Sequence, residues 1–153
     1  MADTSEETLV WHRRFAAAAN NRAWDLSVQT RNAAQDQEML DNAHTSAWHW
    51  SKIGIELNRM RAIMLLAKVH ALLGLGQSAL AYAEEMRSYF LKIKAPDWEI
   101  AFVHVVHAHA ASVADDHEKH RASYGLAIAA IDVVSNAKER DIVTSTFRHV
   151  PKP

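Results

Sequence analysis

The sequence contains no cysteine among its 153 residues, and only 4 glycines and 3 prolines. Without cysteine the chain cannot form a disulfide, a thiolate nucleophile or a cysteine-based zinc or iron–sulfur site. With so few turn-forming residues, an all-β protein built from hairpins is not expected. No apolar run approaches the ~18–20 residues that a membrane-spanning helix needs. The polar, acidic N-terminus does not resemble a secretory signal, so we expect a cytoplasmic protein without a membrane partner.

The sequence also lacks an excess of charge of either sign. Lys and Arg number 17 and Asp and Glu 18, which leaves a formal net charge of -1. Because the two signs are interspersed, no basic patch for nucleic acid is visible. Apolar residues make up 49% of the chain, which is typical of a globular protein. We expect one domain over residues 1–153, with short flexible ends at about 1–4 and 149–153.

What the sequence does contain is long amphipathic stretches, and these predict an all-α fold of seven or eight helices. A capping box at Thr4-Ser5-Glu6-Glu7 opens the first helix, which we expect to pause at Asn20-Asn21. The remaining helices are predicted at about 22–32, 35–52, 55–73, 78–92, 97–114, 117–134 and 138–147. Short connections make antiparallel neighbours, so the helices form stacked hairpins.

A repeated spacing supports this stacking. Small residues, a tight turn and close-packing residues recur after a shift of 41 positions: Ala67, His70, Gly74, Ala79 and Ala83 align with Ala108, Ala111, Asp115, His120 and Tyr124. This is the order of features in tetratricopeptide hairpins, whose usual period is about 34 residues. The alternative is a plain helical bundle in which the alanines coincide by chance.

The chain resembles a family of bacterial tetratricopeptide-like helical proteins over about Phe15 to Arg140. The marks that match are Ala43-His44, Ser46, His49-Trp50, Asn58, Arg61, Val69, Leu73-Gly74, Asp97, Ala101-Phe102, the alanines around Ala108, and Glu139-Arg140. The family commonly has tyrosine in place of Trp48 and of His70. The resemblance implies a right-handed solenoid of helical hairpins, and it implies no activity.

Segment 43–50 has the highest density of histidine and tryptophan in the chain, with two of each. His44 stands on the flank of the expected core stripe with Trp48 four residues later, and neighbours at this spacing touch. His49 lies about 140° around the helix from His44, so the two cannot chelate one ion from a regular helix. Either histidine is a candidate general base, while the structural alternative has the tryptophans packing against neighbouring helices.

Arg61 is the candidate anion clamp, unless Asp41 or Glu56 pairs with it. After a turn at Gly54, Arg61 is expected to meet His44 and Trp48 in one cavity. The candidate ligand-binding residues are His44, Trp48, Asn58, Arg61, Trp98 and His104.

His104 and His107 share one face of the sixth predicted helix and are candidate metal ligands. An i, i+3 pair needs a third ligand, which the local sequence does not supply. His117 and His120 are expected to face solvent. No phosphate-binding loop, HExxH motif or Gly-x-Ser-x-Gly elbow is present, so we expect no cofactor and no native metal.

These observations favour a tetratricopeptide-like binding module whose groove holds a peptide, a partner protein or a small anionic or aromatic ligand. One alternative is a small enzyme, cofactor-free or metal-assisted, that uses His44 or His49 as the base with Arg61. Another is a structural homodimer whose interface is made by exposed aromatic side chains.

Overall fold

The computed structural model describes residues 5–153, and over that range the chain is all-α, with seven helices and no strand. The helices are α1 (Glu6–Ser27), α2 (Ala33–Ile53), α3 (Glu56–Leu72), α4 (Gly76–Phe90), α5 (Asp97–Val113), α6 (His117–Val133) and α7 (Ala137–Phe147). The all-α prediction is therefore confirmed. Of the predicted capping box, Thr4 lies outside the described residues, and Ser5 is the N-cap that accepts from the backbone N–H of Thr8.

The helices form two layers. Each helix packs on the next in sequence, and the odd-numbered helices α1, α3, α5 and α7 also pack on one another in order. Within the described residues the even-numbered helices make no such contact with each other. The odd-numbered layer therefore holds the centre of the molecule, and the even-numbered helices flank it.

Burial follows from this arrangement. Helices α3 and α5 have neighbours on several sides, and both carry long unbroken runs of buried residues, 62–71 and 101–111. His104 and His109, which lie on different faces of α5, are both buried. Ala67, Ala79 and Ala108, whose small side chains suit close helix contacts, are all fully buried.

The turn after α3 and the turn after α5 have the same hydrogen bonds after the 41-residue shift. Gly74 and Asp115 both adopt the left-handed conformation, with φ of 73° and 58°. The N–H of Leu75 donates to the carbonyl of His70 at 2.9 Å, and that of Asp116 to the carbonyl of Ala111 at 3.0 Å. This closure is the Schellman type of helix ending. Aspartate tolerates the left-handed region better than most non-glycine residues do.

The predicted pause at Asn20-Asn21 is wrong, because α1 runs through both residues. Asparagine costs only several tenths of a kcal/mol in a helix interior. That cost is outweighed by a buried stripe that continues on both sides of the pair, with Ala16, Ala19, Ala23 and Leu26 all buried. Helical spacing across the asparagines, rather than their propensity, decides the local structure.

Helix α4 meets the end of α5 backbone to backbone. A Cβ atom placed on Gly76 would lie 2.1 Å from the carbonyl oxygen of Val113. No side chain fits there, so glycine sets how closely these two helices approach.

The C-terminal segment contacts the helices. Val150 is buried, and the ring Nε2 of His120 hydrogen-bonds to the carbonyl of Pro151 at 2.7 Å. The expectation that His120 faces solvent is wrong because the chain end covers it. None of the helices in residues 5–153 is both long enough and apolar enough to cross a membrane.

Candidate functional site

The candidate site is a cavity of about 140 Å³ between α1, α3 and α5. Its walls combine three aromatic rings, three aliphatic or thioether side chains and four polar or charged groups: Asn20, Trp24, Arg61, Met64, Leu65, Lys68, Trp98, Glu99, Phe102 and Val106. All of these residues belong to the odd-numbered layer. The cavity therefore lies on the side of the molecule away from α2, α4 and α6.

Helical spacing brings the lining residues to one face of each helix. Arg61, Leu65 and Lys68 follow one another at i, i+4 and i+7 along α3, and Trp98, Phe102 and Val106 do so at i, i+4 and i+8 along α5. Positions with these spacings lie on one side of a helix. Because α3 and α5 pack side by side, the two stripes face the same space.

The rings form the apolar part of the cavity. Phe102 contacts Trp24 edge-on at 5.6 Å between ring centroids, and Trp98 edge-on at 6.2 Å. Edge-to-face geometry is favourable for such pairs because of the charge distribution of the rings. The same three rings, with Ile142 and Glu139 of α7, also line an outer cleft. The three rings therefore stand between the inner cavity and the outer cleft.

One polar wall is an ion pair. The guanidinium of Arg61 donates two hydrogen bonds to the carboxylate of Glu99, at 2.8 and 3.1 Å. The Glu99 side chain is 2% exposed, whereas that of Arg61 is 43% exposed. Pairing of Arg61 was expected with Asp41 or Glu56, and the partner is instead Glu99, 38 residues away and on α5. Because two N–H groups of its guanidinium already bind the carboxylate of Glu99, Arg61 does not present a free anion clamp.

The other polar group is Lys68, which is 2% exposed. Its Nζ lies 3.6 Å from the centroid of the Trp24 ring and donates to the hydroxyls of Ser27 at 3.0 Å and Thr146 at 3.2 Å. In the described part of the chain Lys68 makes no ion pair. Burial, with a smaller effect of the positive charge on Arg31, lowers the pKa of Lys68 to about 7. A buried ammonium without a carboxylate is disfavoured relative to its neutral form.

His44, Trp48 and His49 lie elsewhere, and none of them lines the cavity. The Nε2 atoms of His44 and His70 are 3.2 Å apart. His70 stands nine residues beyond Arg61, roughly 14 Å along the helix at 1.5 Å per residue. His44 therefore meets α3 well away from Arg61, and the expectation of one cavity for His44, Trp48 and Arg61 does not match this arrangement.

Trp48 and His49 belong to a surface cluster formed by His12, Phe15, Trp48 and His49. The Nδ1 atoms of His12 and His49 are 2.8 Å apart, and the Trp48 ring packs against both histidines. Trp48 is 54% exposed and Phe15 51% exposed. Burial and the neighbouring His12 lower the pKa of His49. The cluster is an exposed contact between α1 and α2, without an enclosed space.

Asn58, on α3, is partly buried and does not line the cavity. Of the remaining ligand candidates, Trp98 lines the cavity and His104 does not. His104 is 7% exposed, and its Nδ1 has no hydrogen-bond partner. Burial, with smaller effects of Arg87 and His107, lowers the pKa of His104 to about 4. It is a neutral buried histidine at physiological pH.

His107 joins α4, α5 and α6 through hydrogen bonds. Its Nδ1 is 2.5 Å from the hydroxyl of Ser123, and its Nε2 is 3.0 Å from the carboxylate of Glu84, which also pairs with Lys119 at 2.9 Å. A serine, a histidine and a carboxylate in line suggest acyl transfer. However, Ser123 is buried and lines neither the cavity between α1, α3 and α5 nor the outer cleft, so we assign the network to helix packing.

Both ring nitrogens of His107 are engaged in this way, so His104 and His107 do not present two free metal ligands. Among residues 5–153 no group of three or more histidine, aspartate or glutamate side chains is arranged to hold a metal ion.

Of the ten residues of the cavity wall, sequence reasoning proposed only Arg61 and Trp98 and missed the other eight, among them Trp24, Lys68, Glu99 and Phe102. A signal existed for one of them. Lys68 interrupts the apolar run from Ala62 to Val69, and a lysine within such a run on a helix without a polar face is a candidate buried amine. Glu99 carries no comparable signal, since a glutamate in a first helical turn is ordinary.

Comparison of the chain with models of protein families, with curated proteins and with solved structures yields no match. The candidate function therefore rests on the geometry of the cavity.

Proposed function

We propose that this chain is a tetratricopeptide-like stack of helical hairpins that binds a small aromatic molecule in the cavity between α1, α3 and α5. Two observations support the repeat architecture: the packing of alternate helices on one another and the shared hydrogen bonding of the turns at Gly74 and Asp115. In helical repeat proteins of this kind the layer formed by alternate helices is a common binding face.

The size of the cavity carries the proposal of a small aromatic ligand. Its volume of about 140 Å³ is close to the ~150 Å³ of an engineered apolar cavity that takes up benzene. One aromatic ring fills such a space, whereas a peptide backbone does not fit. The three ring side chains of the wall offer edge and face contacts to a ligand ring.

The polar groups determine what else the ligand carries. Glu99 already neutralises Arg61, so the cavity does not call for a fully ionised anion at that end. Lys68 offers an amine at another part of the wall. A ligand with one ring and one uncharged oxygen acceptor suits both conditions. The amine of Lys68 can donate a hydrogen bond to that oxygen, which would otherwise be buried without a donor.

The proposal is tested by titrating the protein with toluene and with benzyl alcohol, which adds one uncharged oxygen to the single ring, followed by isothermal calorimetry and by tryptophan fluorescence. We expect saturable binding at one site. Trp98→Leu removes part of the cavity wall and should weaken binding at least tenfold, since a whole ring contact is lost. The matched control is Trp48→Leu, which removes an exposed tryptophan of the surface cluster and should leave the affinity unchanged.

A second variant separates the inner cavity from the outer cleft. Ile142 is 55% exposed and lines only the outer cleft, so Ile142→Glu should not change the affinity for a single ring. Loss of affinity in Ile142→Glu equal to that in Trp98→Leu would place the ligand in the outer cleft and favour a peptide or protein partner instead. If neither probe binds, the proposal is wrong.

The enzyme alternative receives no support from the geometry, because His44, His49 and Arg61 have separate partners. The homodimer through exposed aromatic side chains stays a prediction, and sedimentation of the wild type against Trp48→Glu tests it.

A further inference from the structure

Lys68 is the one lysine whose side chain lines the cavity. It comes from the middle of α3, and its side chain ends among the ring of Trp24, the hydroxyl of Ser27 and the hydroxyl of Thr146. No carboxylate in the described residues holds it as an ion pair. Its partners are therefore neutral groups that can accept a hydrogen bond from either protonation state of the amine.

We propose that Lys68 binds the carbonyl group of an aromatic aldehyde or ketone covalently, as an imine formed inside the cavity. The inference rests on the proposed function, since it needs a ring held by Trp24, Trp98 and Phe102. It adds the chemical class of the ligand, namely a one-ring compound whose carbonyl group reaches the amine.

The reaction balances without any further reagent. The lone pair of Nζ attacks the carbonyl carbon, the C=O π pair moves to oxygen, and a proton passes from nitrogen to that oxygen to give a carbinolamine. The carbinolamine then loses its hydroxyl group with one proton as water while the nitrogen lone pair forms the C=N bond. The sum is amine plus carbonyl compound to imine plus water, with no change of oxidation state.

The surroundings of Nζ favour each step. Attack requires the neutral amine, and burial away from carboxylates disfavours the ammonium form; the lowered pKa of Lys68, about 7, agrees with this. The Ser27 hydroxyl donates to the carbonyl of Trp24 at 2.7 Å, so toward the amine it can only accept. The Thr146 hydroxyl is free of that constraint and can donate a proton to the departing oxygen. Apolar walls limit the water that would hydrolyse the imine.

The chain contains a matched control. Lys52 also lies over a tryptophan ring, with Nζ 4.9 Å from the centroid of Trp48. That pair is on the surface, since Lys52 is exposed and Trp48 is 54% exposed. Lys52 has the same chemical group and the same type of aromatic neighbour, but it is exposed and does not line the cavity.

The experiment uses the full-length protein with benzaldehyde and sodium cyanoborohydride at pH 7.5, which reduces an imine to a stable secondary amine. Peptide mapping by mass spectrometry locates the adduct. We expect Lys68 to be modified at least tenfold faster than Lys52 and every other lysine. Toluene in excess should slow the modification of Lys68 and leave that of Lys52 unchanged. Lys68→Arg, which keeps a cation but cannot form an imine, should lose the fast adduct.

The outcomes separate the two proposals. If toluene binds by calorimetry while Lys68 is modified no faster than Lys52, the imine inference is wrong and the proposed function stands. If toluene does not bind, the proposed function fails. Fast modification of Lys68 that toluene does not slow would also overturn the inference, since the amine would then react outside the cavity. Mapping of the wild type decides these cases even if Lys68→Arg does not fold.

Discussion

The molecule contains two lysine–tryptophan pairs that share one chemistry and differ in their surroundings. Lys52 lies over Trp48 at 4.9 Å on the surface of α2, and Lys68 lies over Trp24 at 3.6 Å within the odd-numbered layer. Such contacts are worth about 0.5–1 kcal/mol when exposed and about 2 kcal/mol or more when desolvated. The difference teaches that burial, and not the contact with the ring, is what disfavours the charged form of Lys68.

The two pairs also differ in sequence distance. Trp48 and Lys52 are four residues apart on one helix, so their contact is visible in the sequence. Trp24 and Lys68 are 44 residues apart on α1 and α3, and only the packing of alternate helices brings them together. Segment 43–50, which is dense in histidine and tryptophan, therefore carries the exposed pair. The residues that line the cavity are instead spread along the sequence.

The largest difference in the free energy of unfolding is expected between variants of Trp24 and Trp48. Trp24→Ala removes a ring that packs on Phe102 and Lys68, and we expect it to lower the free energy of unfolding by about 3–4 kcal/mol. Trp48→Ala removes a half-exposed ring and should cost less than about 1 kcal/mol. Urea unfolding of both variants measures the difference, and equal losses would break the comparison between the two regions.

The same contrast applies to the arginines. Arg61→Ala leaves the carboxylate of Glu99 buried without a partner, and we expect a loss of about 2–3 kcal/mol, at the low end for such pairs because the Arg61 side chain is itself partly exposed. Arg22→Ala breaks an ion pair whose side chains are 45% and 42% exposed, and the melting temperature should not change measurably.

The double variant Arg61→Ala/Glu99→Gln sharpens this test, because it removes the buried charge together with its partner. It should recover part of the stability lost in Arg61→Ala. A double variant less stable than Arg61→Ala alone would show that Glu99 acts through something other than its charge.

The third prediction concerns pH. The folded-state pKa of Lys68, about 7, lies below its ordinary value of 10.5, so between these values the unfolded chain binds more protons than the folded chain. The free energy of unfolding should therefore rise as pH rises through this window. Lys68→Met should flatten that rise, and at pH 7 it should be as stable as the wild type or more stable by about 1–2 kcal/mol.

Urea midpoints from pH 7 to about pH 10 measure this slope, and Lys52→Met is the control that should keep it. An identical slope in the wild type and in Lys68→Met would mean that the buried amine does not titrate in this window.

The smallest expected effect is a change in the pKa of His49 in the surface cluster. Burial and, to a smaller extent, His12 lower the pKa of His49. The variant His12→Phe keeps an aromatic ring but cannot carry a charge, so it should raise the pKa of His49 part of the way toward its ordinary value. Nuclear magnetic resonance titration of the imidazole protons measures it. The pKa of His70, which is lowered by burial and by His44, should stay where it is in the same variant.

Particular residues show where prediction from the sequence succeeded. Ala67, Ala79 and Ala108 were expected at close helix contacts and are fully buried. Gly74 was expected to close α3 and takes the left-handed conformation. These features depend on contacts within a few turns of chain, for which spacing and backbone propensity are sufficient.

Partners across the fold were not predicted. Arg61 was expected to pair with Asp41 or Glu56, within 20 residues, but Glu99 reaches it from α5. His44 was expected to face Arg61, but it meets His70. Counting residues from the turn at Gly54 ignores the tilt and rotation of one helix on another, and those depend on how all the side chains of the contact fit together.

The sequence by itself determined that the chain is helical and where most of its helices begin and end, because these properties follow from local hydrogen bonding and from the periodicity of apolar residues. Only the tertiary structure decided that Lys68 lies over Trp24 without a carboxylate, that Glu99 takes the charge of Arg61, and that three rings enclose a cavity. Those facts depend on the relative placement of α1, α3, α5 and α7, which the combined packing of many side chains sets and no single stretch of sequence encodes.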